Sequence, residues 1–290
     1  MTARVLVLAA AAALPAVAAR AQPVTVPGGS VEMVSVDVSV ISEGRAVPGL
    51  SADRFDVRDE GARREVEMVA AGDAPLHVLL VLDASDSVGG ERVKQLLRSA
   101  QAIFPDLRPA DRVGLITFSE EVKLLADLES SPPAVRGLLA RVQTGGGTSL
   151  RDAAWAALKR AETVRGRMLV LLFTDGQDTS SWLTEEAVLG LARESDSVIH
   201  VVSTAGRQDA LNADPFLSRL AAITGGRLWE AADAEQQELA VRRALAEMRS
   251  RYVLRFERPR DARPGWHRLE VKLRGAKGDV LARRGYFIAN

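Results

Sequence analysis

The chain has 290 residues, 47% hydrophobic and 26% charged, with Lys+Arg and Asp+Glu both at 38 and no Cys. This length allows one large domain or two modest ones, each with a core. The charge balance excludes a global basic field for nucleic acid or anionic membranes, and the lack of Cys excludes disulfides, thiolate metal sites and cysteine nucleophiles. Five of the 38 basic residues are Lys; with so much Ala, this matches the coding bias of a GC-rich bacterial genome.

The first 22 residues, MTARVLVLAAAAALPAVAARAQ, carry one early charge, Arg4, and then an apolar run from Val5 to Ala19. The run closes on Ala19-Arg20-Ala21, a small-x-small cleavage pattern, so residues 1–21 read as a secretory signal peptide. The run is shorter than the roughly 20 apolar residues a membrane span requires. Cleavage removes Arg4 and Arg20 and no acid, taking the 38 basic residues to 36 against 38 acidic ones. The expectation is an exported protein, periplasmic or secreted, with no stable membrane insertion after cleavage.

Residues 22–73 have β character. VEMVSVDVSVIS (31–42) places Val34, Val36, Val38 and Val40 on one face; a turn at EGRAVPGL and two short strands, DRFDVRDEG and REVEMV, follow. From residue 74 the pattern changes. LHVLLVLD is a continuous apolar strand of the kind covered on both faces, and ERVKQLLRSAQAIF has helical spacing. DRVGLITFS and VKLLADL form a hairpin, and helix PPAVRGLLARV leads through QTGGGTS into helix LRDAAWAALKRAE. Strands RMLVLLFTDG, SVIHVVSTA and GRLWEA then alternate with helices TEEAVLGLARES, DPFLSRLAAIT and AEQQELAVRRALAEMRS. Alternation of this kind predicts a doubly wound, mostly parallel α/β sheet over 74–250 with one antiparallel edge strand. Residues 251–290 return to strands, YVLRFERP, HRLEVKLRG and DVLARRGYFIA. They are expected to pack with 22–73 as a small β-sandwich.

In a doubly wound sheet, ligands bind at the carboxyl ends of the strands. Asp83 follows the first apolar strand, Asp175 follows MLVLLFT, and Thr148 lies in the GGGTS loop before a helix. Three segments thus deliver two carboxylates, Ser85, Ser87 and Thr148 to one rim. An all-oxygen donor set suits a hard divalent cation, Mg²⁺ above all, with Mn²⁺ or Ca²⁺ as substitutes. Two carboxylates and three hydroxyls would hold it loosely, leaving positions for water or a partner's acid.

Asp83-Ala84-Ser85-Asp86-Ser87 resembles the Asp-x-Ser-x-Ser signature of von Willebrand factor A domains. Thr148 in GGGTSLRDA and Asp175 in FTDG are similar to that family's two other ligand segments, in the same order. The resemblance covers roughly residues 74–250. It implies a metal-ion-dependent adhesion site in which Ser85, Ser87 and Thr148 bind the cation directly and Asp83 and Asp175 bind directly or through water. It also implies a protein ligand whose Glu or Asp completes the metal shell. The flanking strands, ending in RRGYF, resemble bacterial von Willebrand A-related proteins first noted in acidobacteria. Asp86 departs from the small residue usual between the two serines; it can join the metal or face solvent.

Plainer readings stand beside these. Ser85 and Ser87 could cap the helix starting near Gly90, and Thr148 the next one, but capping leaves Asp175 without a role. No Lys follows Gly145-Gly146-Gly147, so the loop is not a nucleotide P-loop. A Mg²⁺-dependent phosphohydrolase of the haloacid-dehalogenase type needs an acid at position 85, which is Ser, and no G-x-S-x-G elbow marks a serine hydrolase. An interaction module with an unused metal site is a third reading. His77 and His200 read as structural, and His267 as a surface residue. Trp182 in DTSSWLTEE either meets a partner at the rim or packs over the following helix. The sequence therefore predicts no catalytic residue, no cofactor-binding residue besides the five metal ligands, and no nucleic-acid partner.

Overall fold

The computed structural model describes residues 32–69, 74–205 and 215–288. The predicted signal peptide lies outside them. β1 (Met33–Ser42), β2 (Arg45–Ala46), β3 (Phe55–Asp59), β4 (Ala62–Arg64) and β5 (Glu67–Val69) open the chain. The alternation in β1 is realised, with Val34, Val36, Val38 and Val40 all buried. REVEMV is not one strand. Its start belongs to β4 and its end to β5, which lie in different sheets.

The middle of the chain carries β6 (Leu76–Asp83), α1 (Glu91–Gln101), β7 (Arg112–Phe118), β8 (Val122–Ala126), α2 (Pro132–Leu139) and α3 (Leu150–Ala161). It continues with β9 (Arg167–Thr174), α4 (Glu185–Glu194), β10 (Val198–Ser203), α5 (Phe216–Ile223), β11 (Leu228–Glu230) and α6 (Ala234–Ser250). The strands form one six-stranded sheet in the order β11-β10-β9-β6-β7-β8. All pairs are parallel except the β7–β8 hairpin. Because helices cover both faces, β6 is apolar from Val78 to Leu82 and β9 from Met168 to Phe173. Leu80, Leu82 and Phe173 enter one core with α1 and α6, while Leu79, Val81 and Leu172 enter a second with α3, α4 and α5.

Buried charge fixes the amino ends of these strands. Asp111, fully buried, accepts hydrogen bonds from Leu76 N (2.9 Å) and Arg108 N (2.7 Å) and pairs with Arg249 at the end of α6. Burial pushes its carboxyl up, but these donors outweigh it and hold it below the usual range.

β12 (Tyr252–Glu257), β13 (Gly265–Leu273), β14 (Asp279–Ala282) and β15 (Gly285–Ile288) end the chain. β1, β12, β14, β5 and β2 share one antiparallel sheet, and β15, β13, β3 and β4 share another. DVLARRGYFIA is therefore two strands, broken at Arg283-Arg284 where the chain passes between sheets. Val36, Val38, Phe55, Val57, Leu254, Phe256 and Leu269, from both sheets, share a third core. His267 is not a surface residue as the sequence suggests. Its side chain is 12% exposed and stacks on Tyr286 at 5.1 Å, its antiparallel partner. Among the described residues no helix is long and apolar enough to cross a membrane.

Candidate metal centre

Asp83 ends β6 and is fully buried at the carboxyl edge of the central sheet. The chain then turns through a single 3-10 turn, Asp86–Val88, before α1. Asp83 Oδ1 accepts from Ser85 N (3.0 Å) and Ser85 Oγ (2.6 Å), and Oδ2 accepts from Thr174 Oγ1 (2.9 Å) on the next strand. Ser85 and Ser87 hydroxyls lie 3.0 Å apart. Neither serine caps α1, whose N-cap is Gly90 without a side-chain bond. Capping also fails for Thr148. The residue before α3 is Ser149, and its hydroxyl donates to Glu120 O at 2.9 Å.

Three loops are hydrogen-bonded into one rim. Gly145 N donates to Ala84 O (2.9 Å) and Asp86 N to Gly146 O (3.1 Å), joining the glycine loop to the Asp83–Ser87 turn. Thr148 O accepts from Thr179 N (2.9 Å) and Ser180 N (3.0 Å), and Thr148 N donates to Thr179 Oγ1 (2.9 Å). These bonds join the glycine loop to the segment after Asp175. The approach is close at Gly147, where a Cβ would overlap Ser180 Oγ and force that hydroxyl to turn away. Asp83, Ser85, Thr148 and Ser87 are thus brought to one edge, the first three buried and Ser87 half-buried. Asp86 is exposed, which favours its solvent-facing reading.

Burial pushes the Asp83 carboxyl above its usual range, and the nearby Asp175 charge adds to this, against the hydrogen bonds from Ser85 and Thr174. Asp175 Oδ1 accepts from Gln177 N (3.1 Å), but its Oδ2 is buried with no hydrogen-bond partner among the described residues. Two acidic groups therefore act on each other, with no Lys or Arg among their hydrogen-bond donors in the described residues. Such an arrangement is costly without a cation, and the orphaned Oδ2 fits a group that brings positive charge. Among the described residues no three His, Cys, Asp or Glu side chains gather for a metal. A cation here would depend on hydroxyls and water, which fits a hard ion held weakly.

Two supports escaped sequence reasoning. Thr174 is a fully buried strand residue that holds both Asp83 Oδ2 and Gly176 N (3.1 Å). Asp178 forms a two-pronged pair with Arg151 (3.1 and 3.2 Å) and also accepts from Arg151 N and Ser181. Burial raises the Asp178 carboxyl, but Arg151 and Ser181 together hold it below the usual range. Its three-residue spacing from Asp175 in TDGQD was the available signal. Asp152 then accepts from Trp182 N (3.0 Å) and Leu183 N (2.9 Å), and the Trp182 side chain on this braced loop is 93% exposed. The ring does not pack over α4.

Residues 78–177 match the von Willebrand factor type A domain family. Inter-alpha-trypsin inhibitor heavy chain 4 of mouse is 27% identical over 177 residues, 56% of this chain and 19% of that protein. An uncharacterised Synechocystis protein is 24% identical over 190 residues, 62% of this chain and 44% of its own length. The chain thus spans 12–19% of the length of the mammalian heavy chains it matches. Among solved structures, a von Willebrand factor type A protein from Catenulispora acidiphila superposes with a TM-score of 0.53 at 12% identity, covering 84% of this chain and 75% of that one. The PilB minor pilin of Streptococcus sanguinis gives 0.52 at 12% identity, with 61% and 62% covered, in its D319A form.

Proposed function

We propose that the von Willebrand factor type A domain carried at residues 78–177 serves as a divalent-cation-dependent protein-interaction module. Ser85, Ser87 and Thr148 would hold the cation directly, and Asp83 and Asp175 directly or through water. The ion supplies a Lewis-acidic coordination position that a partner's Glu or Asp can fill. The chain's own part is to hold the donors in place through Thr174, Asp178 and the loop bonds, and to keep water from Asp83. The observation that carries this reading is the buried Asp83 beside Asp175, whose Oδ2 lacks any partner among the described residues.

The same reading takes 74–250 as the interaction domain, inserted into a β-sandwich built from 22–73 and 251–290, in a protein exported to the periplasm or beyond. It assigns no catalysis. Position 85, where a dehalogenase-type phosphatase needs an acid, holds Ser85 bonded to Asp83. The test is thermal unfolding in EDTA and with Mg²⁺, Mn²⁺ or Ca²⁺ added, for wild type and Asp175→Ala. Ligand at a hundredfold over its dissociation constant adds about 2.7 kcal/mol. A rise in midpoint for wild type that the variant lacks is expected; equal responses would refute the site.

A further inference from the structure

A second recess lies away from the metal rim, between α4 and α5 on one wall and β13, β14 and the Arg283-Arg284 link on the other. It is a cleft of about 1140 Å³. Its lining includes Arg193 and Arg219 from the helices and Arg268, Arg283 and Arg284 from the terminal strands, against one acid, Glu270. Two of these arginines are engaged. Arg219 pairs with Glu185, while Arg283 pairs with Asp196 and donates to Ser35 O at 2.6 Å. Glu270 is taken by Lys272 at 2.7 Å. Arg193, Arg268 and Arg284 are exposed and have no ion-pair partner among the described residues.

The strand geometry explains why these charges share a wall. In β13, Leu269 turns to the core, so Trp266, Arg268 and Glu270 face the other way, into the cleft. Arg268 pairs across the ladder with Gly285, and Leu269 N donates to Arg284 O at 2.8 Å, which sets Arg284 beside this row. Gly285 is required here. A Cβ at that position would overlap the Trp266 ring, which lies across it. RRGYF thus supplies guanidinium groups and the flat seat for an indole at once.

We infer that this cleft binds an acidic peptide segment, with carboxylates on Arg193, Arg268 and Arg284 and aliphatic side chains on Trp266, Leu189 and Ile223. Arginine reads carboxylates by paired hydrogen bonds, and three exposed guanidinium groups spread over two walls, with Arg268 also acting on the charge of Glu270, call for several carboxylates along a chain. The volume exceeds the roughly 300–1,000 Å³ usual for small-ligand pockets. The inference does not rest on the metal reading, since no proposed metal ligand lines the cleft.

The test uses residues 22–290 in EDTA, titrated calorimetrically with a capped peptide of about eight residues alternating Glu and Val, long enough to extend over some 26 Å. A Lys-Val peptide is the control. Saturable binding of the acidic peptide is expected, weakening with salt, and the Lys-Val peptide should not bind. Arg268→Glu/Arg284→Glu should lose about tenfold or more in affinity, as removal of two charge-assisted contacts does. Arg268→Ala/Arg284→Ala guards against misfolding and should fall in the same direction, with thermal midpoints checked for all. The exposed pair Arg136→Glu/Arg141→Glu, on and after α2, should leave binding unchanged. Absence of saturation at millimolar peptide, or equal loss in the α2 pair, would overturn the inference. So would displacement by citrate or inorganic phosphate at concentrations equal to the peptide's, which would mark a small-anion site.

Discussion

The Thr174 hydroxyl donates to Asp83 Oδ2 at 2.9 Å, across two adjacent strands and in full burial. This bond satisfies one of the Asp83 oxygens while Ser85 satisfies the other. Thr174→Val keeps the shape and removes the donor, leaving a buried carboxylate oxygen unpaired. It should cost about 1–3 kcal/mol in urea unfolding, with Thr174→Ser restoring most of it. A Val variant as stable as wild type would show that Asp83 does not need this support.

Asp83→Asn separates fold from metal. Burial and Asp175 both disfavour the charged form of Asp83, so the neutral amide should leave stability in EDTA equal or higher. The same variant should lose the Mg²⁺-induced rise in unfolding midpoint. Destabilisation in EDTA together with an intact Mg²⁺ response would refute the ligand role.

Asp178 braces the loop that carries Asp175 and Trp182 without being an expected ligand. Removing it takes away both guanidinium contacts of Arg151 at 3.1 and 3.2 Å and frees Ser181. Asp178→Ala should lower stability by about 1–3 kcal/mol and weaken the cation response without abolishing it. Trp182→Ala, on the exposed tip, should change neither. Comparing the two variants in the same cation titration tests whether the loop is positioned by Asp178.

The sequence made the sheet legible where one local rule decides. Residues 78–82 of β6 and 168–173 of β9 are unbroken apolar runs because helices cover both faces, and the ends of these runs locate Asp83 and Asp175. It hid what depends on distant register. A threonine ending an apolar strand looks like any β-branched residue, so the Thr174–Asp83 bond, 91 positions apart, left no trace. The break at Arg283-Arg284 was invisible because both halves of DVLARRGYFIA favour strand, and only their partners, β1 and β13, differ. His267 reads as a surface residue for the same reason. Its seat is Tyr286, brought alongside by the β13–β15 ladder.

His200 makes stability depend on pH. Its ring is fully buried in β10, and Nδ1 accepts from Trp229 Nε1 at 3.1 Å, so the proton of the neutral ring sits on Nε2. That side faces Glu247 at 3.5 Å, but Glu247 is already held by Arg251 at 2.8 Å. Burial, with Arg251 and Arg227 adding positive charge, drives the His200 pKa well below 6.5. The unfolded chain takes up a proton at this position near pH 6.5 while the folded chain does not, so the unfolded state binds more protons. The contribution of neutral His200 is therefore fully present above about pH 7 and is lost as pH falls below 6.5, with a slope approaching 1.4 kcal/mol per unit. Urea unfolding at a series of pH values from about 8 to 5, for wild type and His200→Gln, isolates this slope from that of His77, which is also held low by burial. Wild type should lose stability relative to the variant as pH falls; parallel curves would mean that folding leaves the proton affinity of His200 unchanged, and a gain as pH falls towards 6.5 would mean that Glu247 holds the ring protonated in the fold.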